Sequence, residues 1–184
     1  MDDRHAVRTG RITYCMGERL ECEKILERFF GQIPDESTFF SLAAAPAGAI
    51  LTVGTDADGL LLDVIEPVRL GLTVQCRICE AQNGEKTLQI DDFRILRRRR
   101  QKKGVGTALF AKMLDAASSL GFSHITATVD LSADENGFYT FQRFGFFPAK
   151  GEKTSGETRL VFDLAEQSRS MKCFKKYLRE KTAR

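Results

Sequence analysis

The sequence lacks any run of about 18 uncharged apolar residues, the length that a membrane-spanning helix needs. We therefore expect no membrane partner. No apolar stretch of the secretory type follows the charged N-terminus, so we expect no signal peptide and a cytoplasmic protein. Histidine is scarce, because His5 and His124 are the only two, and this scarcity disfavours a zinc site. We expect no metal.

Cysteine occurs five times, an odd number that does not suit a disulfide framework. The positions are Cys15, Cys22, Cys76, Cys79 and Cys173. Cys76 and Cys79 form a C-x-x-C pair, but this pair lies within a predicted strand, whereas a thioredoxin-like motif begins a helix. A zinc site would need a second pair. We interpret these residues as ordinary strand cysteines.

The composition is typical of one globular domain, with 184 residues, 42% hydrophobic and 29% charged. The net charge of +3 is unevenly distributed. Residues 165–184 hold seven basic and two acidic side chains, a net charge of +5, which leaves −2 for the rest of the chain. A second basic cluster comprises the four arginines at 97–100 with Lys102 and Lys103. Two such clusters favour anionic partners.

Hydrophobic spacing predicts a single α/β domain over residues 1–164 and a basic, helical tail over 165–184. Strands are predicted at 11–16, 50–53, 60–65, 72–80, 88–96, 125–129, 146–148 and 158–164. Helices are predicted at 18–30 and 105–120, whereas residues 39–49 fit neither pattern. Turn residues at 56–59 and 82–84 predict two hairpins.

Two more helices are predicted from a cap and from apolar stripes. Ser132 and Glu135 have the spacing of a capping box, which satisfies the first unpaired amides of a helix. The stripes comprise Phe138, Phe141 and Phe144 in this helix and Met171, Phe174 and Leu178 in the tail. The tail stripe predicts packing against the domain or against a partner.

A basic loop with two glycines, Gln101-Lys102-Lys103-Gly104-Val105-Gly106, connects a predicted strand to the strongest predicted helix. The first amides of a helix lack partners and lie at the positive end of its dipole, and glycine lets an anion approach them. The loop therefore predicts a phosphate site. It is not a P-loop, because no Gly-Lys-Ser/Thr follows, and it contains no G-x-G-x-x-G.

The loop resembles the pyrophosphate-binding motif of the GNAT-type N-acetyltransferase superfamily, Gln/Arg-x-x-Gly-x-Gly/Ala. Residues 134–146 resemble the second motif of that superfamily, a helix that ends in aromatic-x-x-x-Gly-Phe. The likeness covers residues 88–164. It implies an α/β (α+β) fold with a central mixed, mostly antiparallel sheet, flanked by helices and splayed at an acyl-CoA site.

The resemblance also implies the residues that bind acetyl-CoA, the acyl donor. The loop contributes Gln101, Lys102, Lys103, Gly104, Val105, Gly106 and Thr107, whose backbone amides would surround the pyrophosphate. Either Ile95 or Leu96 would offer backbone groups to the pantetheine arm. In the second motif, Asn136 and Phe141 would also contact the cofactor. A member of this superfamily often has tyrosine at the position of Phe141, as the general acid.

Candidates for the acid and the base come from the residues around these motifs. The apolar face of strand 88–96 changes phase at Asp91 and Asp92, which predicts a β-bulge, and bulges often lie beside active sites. We predict Asp92 as the base. Because Phe141 carries no proton, we predict Tyr139 as the acid that protonates the thiolate.

The sequence therefore predicts an acyl-CoA-dependent N-acyltransferase that acetylates an amine on a small molecule or a protein. The resemblance implies that the acceptor pocket comes from the first helices and the open edge of the sheet. One alternative is a non-catalytic module that binds coenzyme A or is structural, as the phenylalanine at 141 suggests. Another is nucleic-acid binding through the basic tail and the arginine run, although the tail has no recognised binding motif.

Overall fold

The computed structural model describes residues 11–15, 17–56, 59–80, 84–97, 104–130, 135–151 and 156–182. The strands are β1 (Arg11–Tyr14), β2 (Ile50–Asp56), β3 (Gly59–Glu66), β4 (Leu72–Glu80), β5 (Lys86–Ile95), β6 (His124–Asp130), β7 (Phe147–Pro148) and β8 (Glu157–Asp163). The helices are α1 (Arg19–Phe30), α2 (Glu36–Leu42), α3 (Val105–Ser119), α4 (Glu135–Phe144) and α5 (Arg169–Thr182).

All eight of these strands form one sheet in the order β1-β2-β3-β4-β5-β6-β8-β7. The pairs β1–β2 and β5–β6 are parallel, and every other neighbouring pair is antiparallel. Each parallel pair is connected through helices, as parallel strands require. The predicted mixed, mostly antiparallel α/β fold is confirmed.

The sheet buries one face, because apolar side chains alternate along its strands. In β3 and β4 the buried positions alternate with partly exposed ones, and Val64 stands opposite Val74. Helix α3 packs on this face, where the ring of Phe110 meets that of Phe162 in β8 at 5.8 Å between centroids. Cys76 lies on the buried face and Cys79 on the other, so the C-x-x-C pair is confirmed as strand residues. Burial raises the pKa of the Cys76 thiol.

Helix α5 completes the core rather than extending from it. Phe174 is 3% exposed and packs edge-on against Phe110 and Phe162. The other two members of its apolar stripe, Met171 and Leu178, are partly buried against the core. The stripe was predicted to pack against the domain or against a partner, and the structure shows that it packs against the domain.

Two segments are better defined in the structure than in the sequence. Residues 39–49 fitted neither pattern, and the first four of them belong to α2, which begins at Glu36. Asp35 caps this helix by accepting a 3.0 Å hydrogen bond from the Thr38 amide. The β2–β3 hairpin is confirmed by the pairing of Asp56 with Gly59. Residues 57–58 and 82–83 of the two turns, and Ser132 of the capping box, lie outside the described residues. Within the described part, no helix has the length and apolarity to cross a membrane.

Candidate functional site

Strands β5 and β6 separate halfway along their length. They pair in parallel from Thr87 and His124 to Ile90 and Ala127, and the ladder ends there. Beyond that point β5 continues to Ile95 along β4, while β6 continues along β8. A gap therefore opens in the sheet between two strands that each keep one partner. The predicted splay is confirmed.

A β-bulge begins at the same point. Ile90 pairs with Cys76 and Asp92 pairs with the preceding Gln75, so Asp91 is the extra residue on β5. Because of this extra residue, Phe93 lies on the same apolar face as Ile90, although the two are three residues apart. The bulge predicted from the change of phase is confirmed, and it lies where β5 leaves β6.

The N-terminus of α3 lies against the end of β5. Gly104 is the N-cap residue, with a left-handed φ of 76° that favours glycine, and its carbonyl accepts the first helical hydrogen bond from Ala108. A Cβ atom on Gly106 would lie 3.6 Å from both Ile95 Cδ1 and Phe93 Cε1. The amides of the first turn therefore begin next to the gap, without helical partners. The loop residues Gln101, Lys102 and Lys103 lie outside the described residues.

The turn between β3 and β4 holds the end of β5. Gly71 accepts a 3.0 Å hydrogen bond from the amide of Leu96, and Leu70 accepts one of 3.2 Å from the amide of Arg97. The Leu96 amide thus points toward β4. Because backbone groups alternate along a strand, those of Ile95 and Phe93 point toward the gap. Of the two residues predicted to meet the pantetheine arm, the geometry favours Ile95.

Glu66 organises this turn, a role that the sequence pattern alone did not predict. Its carboxylate accepts hydrogen bonds from the amides of Val68, Arg69 and Leu70, at 3.1, 2.8 and 2.6 Å. Burial alone would raise the pKa of Glu66, but these amides and the Arg69 charge outweigh burial and hold the pKa below its usual value. One signal was available: Glu66 continues the buried alternation of β3 after Val64, where an apolar residue is expected.

The two aspartates of the bulge both have partners. Arg77 binds Asp91 through Nε and Nη2, at 2.8 and 2.9 Å. Asp92 accepts a 3.0 Å hydrogen bond from the Thr73 hydroxyl and lies 2.7 Å from Arg94 Nε. Phe93 lies on the sheet face that α3 covers. By strand alternation, Asp92 lies on the opposite face. A base at Asp92 would have to act from that face at the edge of the gap.

Tyr139 is 52% exposed on α4, the helix that follows β6. Its ring meets that of Phe138 at 6.0 Å, whereas Phe141 packs inward against Phe146 at 5.0 Å. Its exposed position off the apolar stripe agrees with the sequence pattern, while its role as an acid stays a prediction. The side chain of Asn136 lies outside the described part. No group of three His, Cys, Asp or Glu suited to a metal occurs among the described residues.

A cleft of about 470 Å³ lies at the other end of the sheet. It is lined by Arg11, Ile12, Thr13, Tyr14, Arg19, Leu26, Ile33, Pro34, Glu36 and Phe39. These residues come from β1, α1, α2 and the α1–α2 connection, the part of the chain expected to bind the acceptor. However, β1 and β5 are four strand spacings apart, about 19 Å. The cleft is therefore separate from the gap.

Comparisons with known proteins give one family and several distant structures. The model of the Acetyltransferase (GNAT) family matches residues 26–146. No curated protein matches the sequence significantly. Because residues 26–146 include the gap and the glycine loop, the family match covers the candidate site.

Three solved structures illustrate the structural likeness. A GNAT family acetyltransferase from Elizabethkingia anophelis, with acetyl-CoA bound, is 14% identical, with a TM-score of 0.42 over 58% of this chain and 76% of that one. Arabidopsis thaliana Naa50, with the bisubstrate analogue CoA-Ac-MVNAL, is 12% identical, with a TM-score of 0.43 over 80% and 92%. Ard1 from Thermoplasma volcanium is 14% identical, with a TM-score of 0.39 over 54% and 67%.

Proposed function

Since this chain belongs to the GNAT family of acetyltransferases, we propose that it transfers an acetyl group from acetyl-CoA to an amine. The observation that carries the proposal is the position of the α3 N-terminus, which lies against the end of β5 where β5 leaves β6. Amides without helical partners adjoin the part of β5 that no longer pairs with β6. This combination suits a ligand with phosphates at one end and amide groups along its length.

In this proposal, each part of the donor has its own binding groups. The amides of Val105, Gly106 and Thr107, together with loop residues 101–103, bind the pyrophosphate. The backbone of Ile95, aided by that of Phe93, lines the gap and hydrogen-bonds to the pantetheine arm. Residues of α4, Asn136 and Phe141, contact the donor from the other side. The strand alternation around Leu96 supports the role of Ile95, and the packing of Gly106 on β5 supports that of the helix amides. The roles of Asn136 and Phe141 rest on the resemblance to the second motif of the family.

The chemistry requires an amine in its neutral form, because an ammonium has no lone pair for the thioester carbonyl. For a lysine with a pKa of about 10.4, deprotonation at pH 7 costs roughly 4–5 kcal/mol. We propose that Asp92 accepts this proton, directly or through water. The C–N bond then forms as the C–S bond breaks, Tyr139 protonates the departing thiolate, and the excess proton on the new amide nitrogen passes through water to restore the Tyr139 hydroxyl.

A second candidate function is a non-catalytic module that binds coenzyme A. Two observations favour it. Phe141 packs inward and carries no hydroxyl, and the Asp92 carboxylate is held by Arg94 and Thr73. An ion-paired carboxylate must give up part of that contact before it accepts a proton. Binding without turnover is what this candidate predicts.

Thermal unfolding with acetyl-CoA, followed by thiol release in the presence of an amine panel, tests both candidates. A ligand at 100 times its dissociation constant should add about 2.7 kcal/mol to the free energy of unfolding. A shift in melting temperature with amine-dependent thiol release supports the transferase. A shift without release by small amines, lysine or peptide N-termini supports the binding module. No shift with millimolar acetyl-CoA contradicts both.

We propose the cytoplasm as the compartment.

A further inference from the structure

Helix α5 is joined to the domain by several contacts at its first turn. Ser168 caps it, accepting a 3.1 Å hydrogen bond from the Met171 amide and donating one of 2.7 Å to the Asp163 carbonyl. The guanidinium of Arg169 lies 4.1 Å from the centroid of the Phe147 ring. Phe174 of the same helix is buried in the aromatic core, so α5 packs against the domain.

The opposite side of α5 carries a row of cations, here named the basic stripe. The stripe comprises Arg169, Lys172, Lys175, Lys176 and Arg179, all exposed. Residues three or four apart share one side of a helix, so these five side chains project together over about 15 Å. The three lysines form no ion pair with any residue that the structure describes. Within α5 the one acidic residue is Glu180.

The stripe belongs to a strongly basic C-terminal segment, whereas the rest of the chain, which includes the second basic cluster, is slightly acidic overall. Residues 165–184 carry a net charge of +5, and the rest of the chain carries −2. Because α5 is packed against the core, its charges are already arranged in a row before any partner binds. A helix that is already packed on the domain loses less backbone conformational freedom on meeting a polyanion than a flexible tail would.

We propose that the basic stripe binds the phosphodiester backbone of a nucleic acid, without reading its sequence. Lysine contacts to phosphate give affinity that depends on salt rather than on bases. A lipid surface fits less well, because an interfacial helix inserts its apolar side, whereas Phe174 of α5 is buried in the core. This binding is independent of acetyl transfer, so either proposal can fail without the other.

Fluorescence anisotropy of the full chain tests the proposal, with labelled single-stranded RNA and duplex DNA of about 20 nucleotides per strand, in about 50 to 200 mM salt. The test variant is Lys172→Gln/Lys175→Gln/Lys176→Gln. The control is Lys24→Gln/Arg28→Gln/Lys112→Gln, which removes the same charge from exposed positions on α1 and α3. The test variant should bind at least tenfold more weakly, with a salt slope smaller by about two to three. The control should resemble the wild type.

Several results would overturn the proposal. One is the absence of saturable binding to both probes at the lowest salt. Another is an equal loss in both triple variants, which would indicate a diffuse effect of net charge. A third is tighter binding to vesicles of phosphatidylserine and phosphatidylcholine, or displacement of RNA by poly-glutamate at equal charge. Because all six substituted side chains are exposed, circular dichroism should show that every variant is folded.

Discussion

The backbone amide of Leu70 donates a 2.6 Å hydrogen bond to the carboxylate of Glu66, and the carbonyl of Leu70 accepts one from the amide of Arg97. Glu66 is therefore linked, through one turn, to the residues that follow β5. The side chain of Arg97 strengthens the link with a 3.1 Å bond to the carbonyl of Pro67. This turn sets where the chain leaves the sheet toward the glycine loop.

Replacing Glu66 should destabilise the protein. In Glu66→Gln the charge-assisted acceptor of three amides is lost, so we expect the free energy of unfolding at pH 7 to fall by about 1–3 kcal/mol. The pKa of Glu66 is below its usual value in the folded state. Its contribution is therefore present above the ordinary pKa of about 4.3 and is lost as the pH falls through the lowered folded pKa. Urea unfolding at several pH values measures this difference.

The matched control for this prediction is Glu27→Gln, an exposed residue of α1. It should change the free energy of unfolding by less than about 0.5 kcal/mol. The difference in free energy of unfolding between Glu66→Gln and the wild type should become smaller in acid. A difference that does not change with pH would contradict a stabilising role of the ionised carboxylate. Glu66→Gln should also bind acetyl-CoA more weakly, because the turn that holds the end of β5, just before the loop at 101–106, is less stable.

Two substitutions at Gly106 distinguish the effect of added size from the effect of added charge. Gly106→Ala should fold and bind acetyl-CoA nearly as the wild type does, because its Cβ would meet Ile95 and Phe93 at an ordinary contact distance of 3.6 Å. Gly106→Asp adds a negative charge where the pyrophosphate is proposed to lie and should weaken binding more than tenfold, about 1.4 kcal/mol. Calorimetry on both variants decides. Equal affinities would contradict the phosphate site.

Gly145→Ala should be strongly destabilising. A Cβ atom at Gly145, whose φ is 102°, would come within 2.5 Å of the Ser170 carbonyl in the first turn of α5. Gly151→Ala is the control, because Gly151 also has a positive φ of 87° but nothing within 4 Å. The control should cost about 1–2 kcal/mol for the left-handed conformation alone. Chemical denaturation should show a clearly larger loss for Gly145→Ala, and equal losses would mean that α5 moves aside freely.

Tyr139→Phe should lower turnover more than it weakens donor binding. If the Tyr139 hydroxyl protonates the thiolate, its removal should reduce the rate by about 10²–10⁴-fold, the usual range for general acid catalysis. The side chain is 52% exposed, so stability should change by less than about 0.5 kcal/mol. Steady-state kinetics with a productive amine are the measurement, with Tyr177→Phe on α5 as control. Unchanged turnover would end the assignment of Tyr139 as the acid.

The sequence by itself determined the features that depend on residues close together in the chain. The phase change at Asp91 and Asp92 is visible in the alternation of one strand, and it became the bulge at the gap. The glycines at 104 and 106 before an amphipathic stretch predicted the start of α3. The Phe174 stripe predicted a packed tail helix. In each case the period of the side chains is a local property.

Only the tertiary structure decided the contacts between residues that are distant in the chain. The role of Glu66 as an acceptor for backbone amides arises only when the β3–β4 turn folds over its carboxylate. The same turn then contacts Leu96, 30 residues later. The hydrogen bond from the Thr73 hydroxyl to Asp92 depends on the register of β4 against β5 after the bulge, whereas the ion pair of Asp92 with Arg94 lies within β5 itself. A shift of one residue in that register would turn these side chains to the other face, and the periodicity of a single strand does not determine its partner's register.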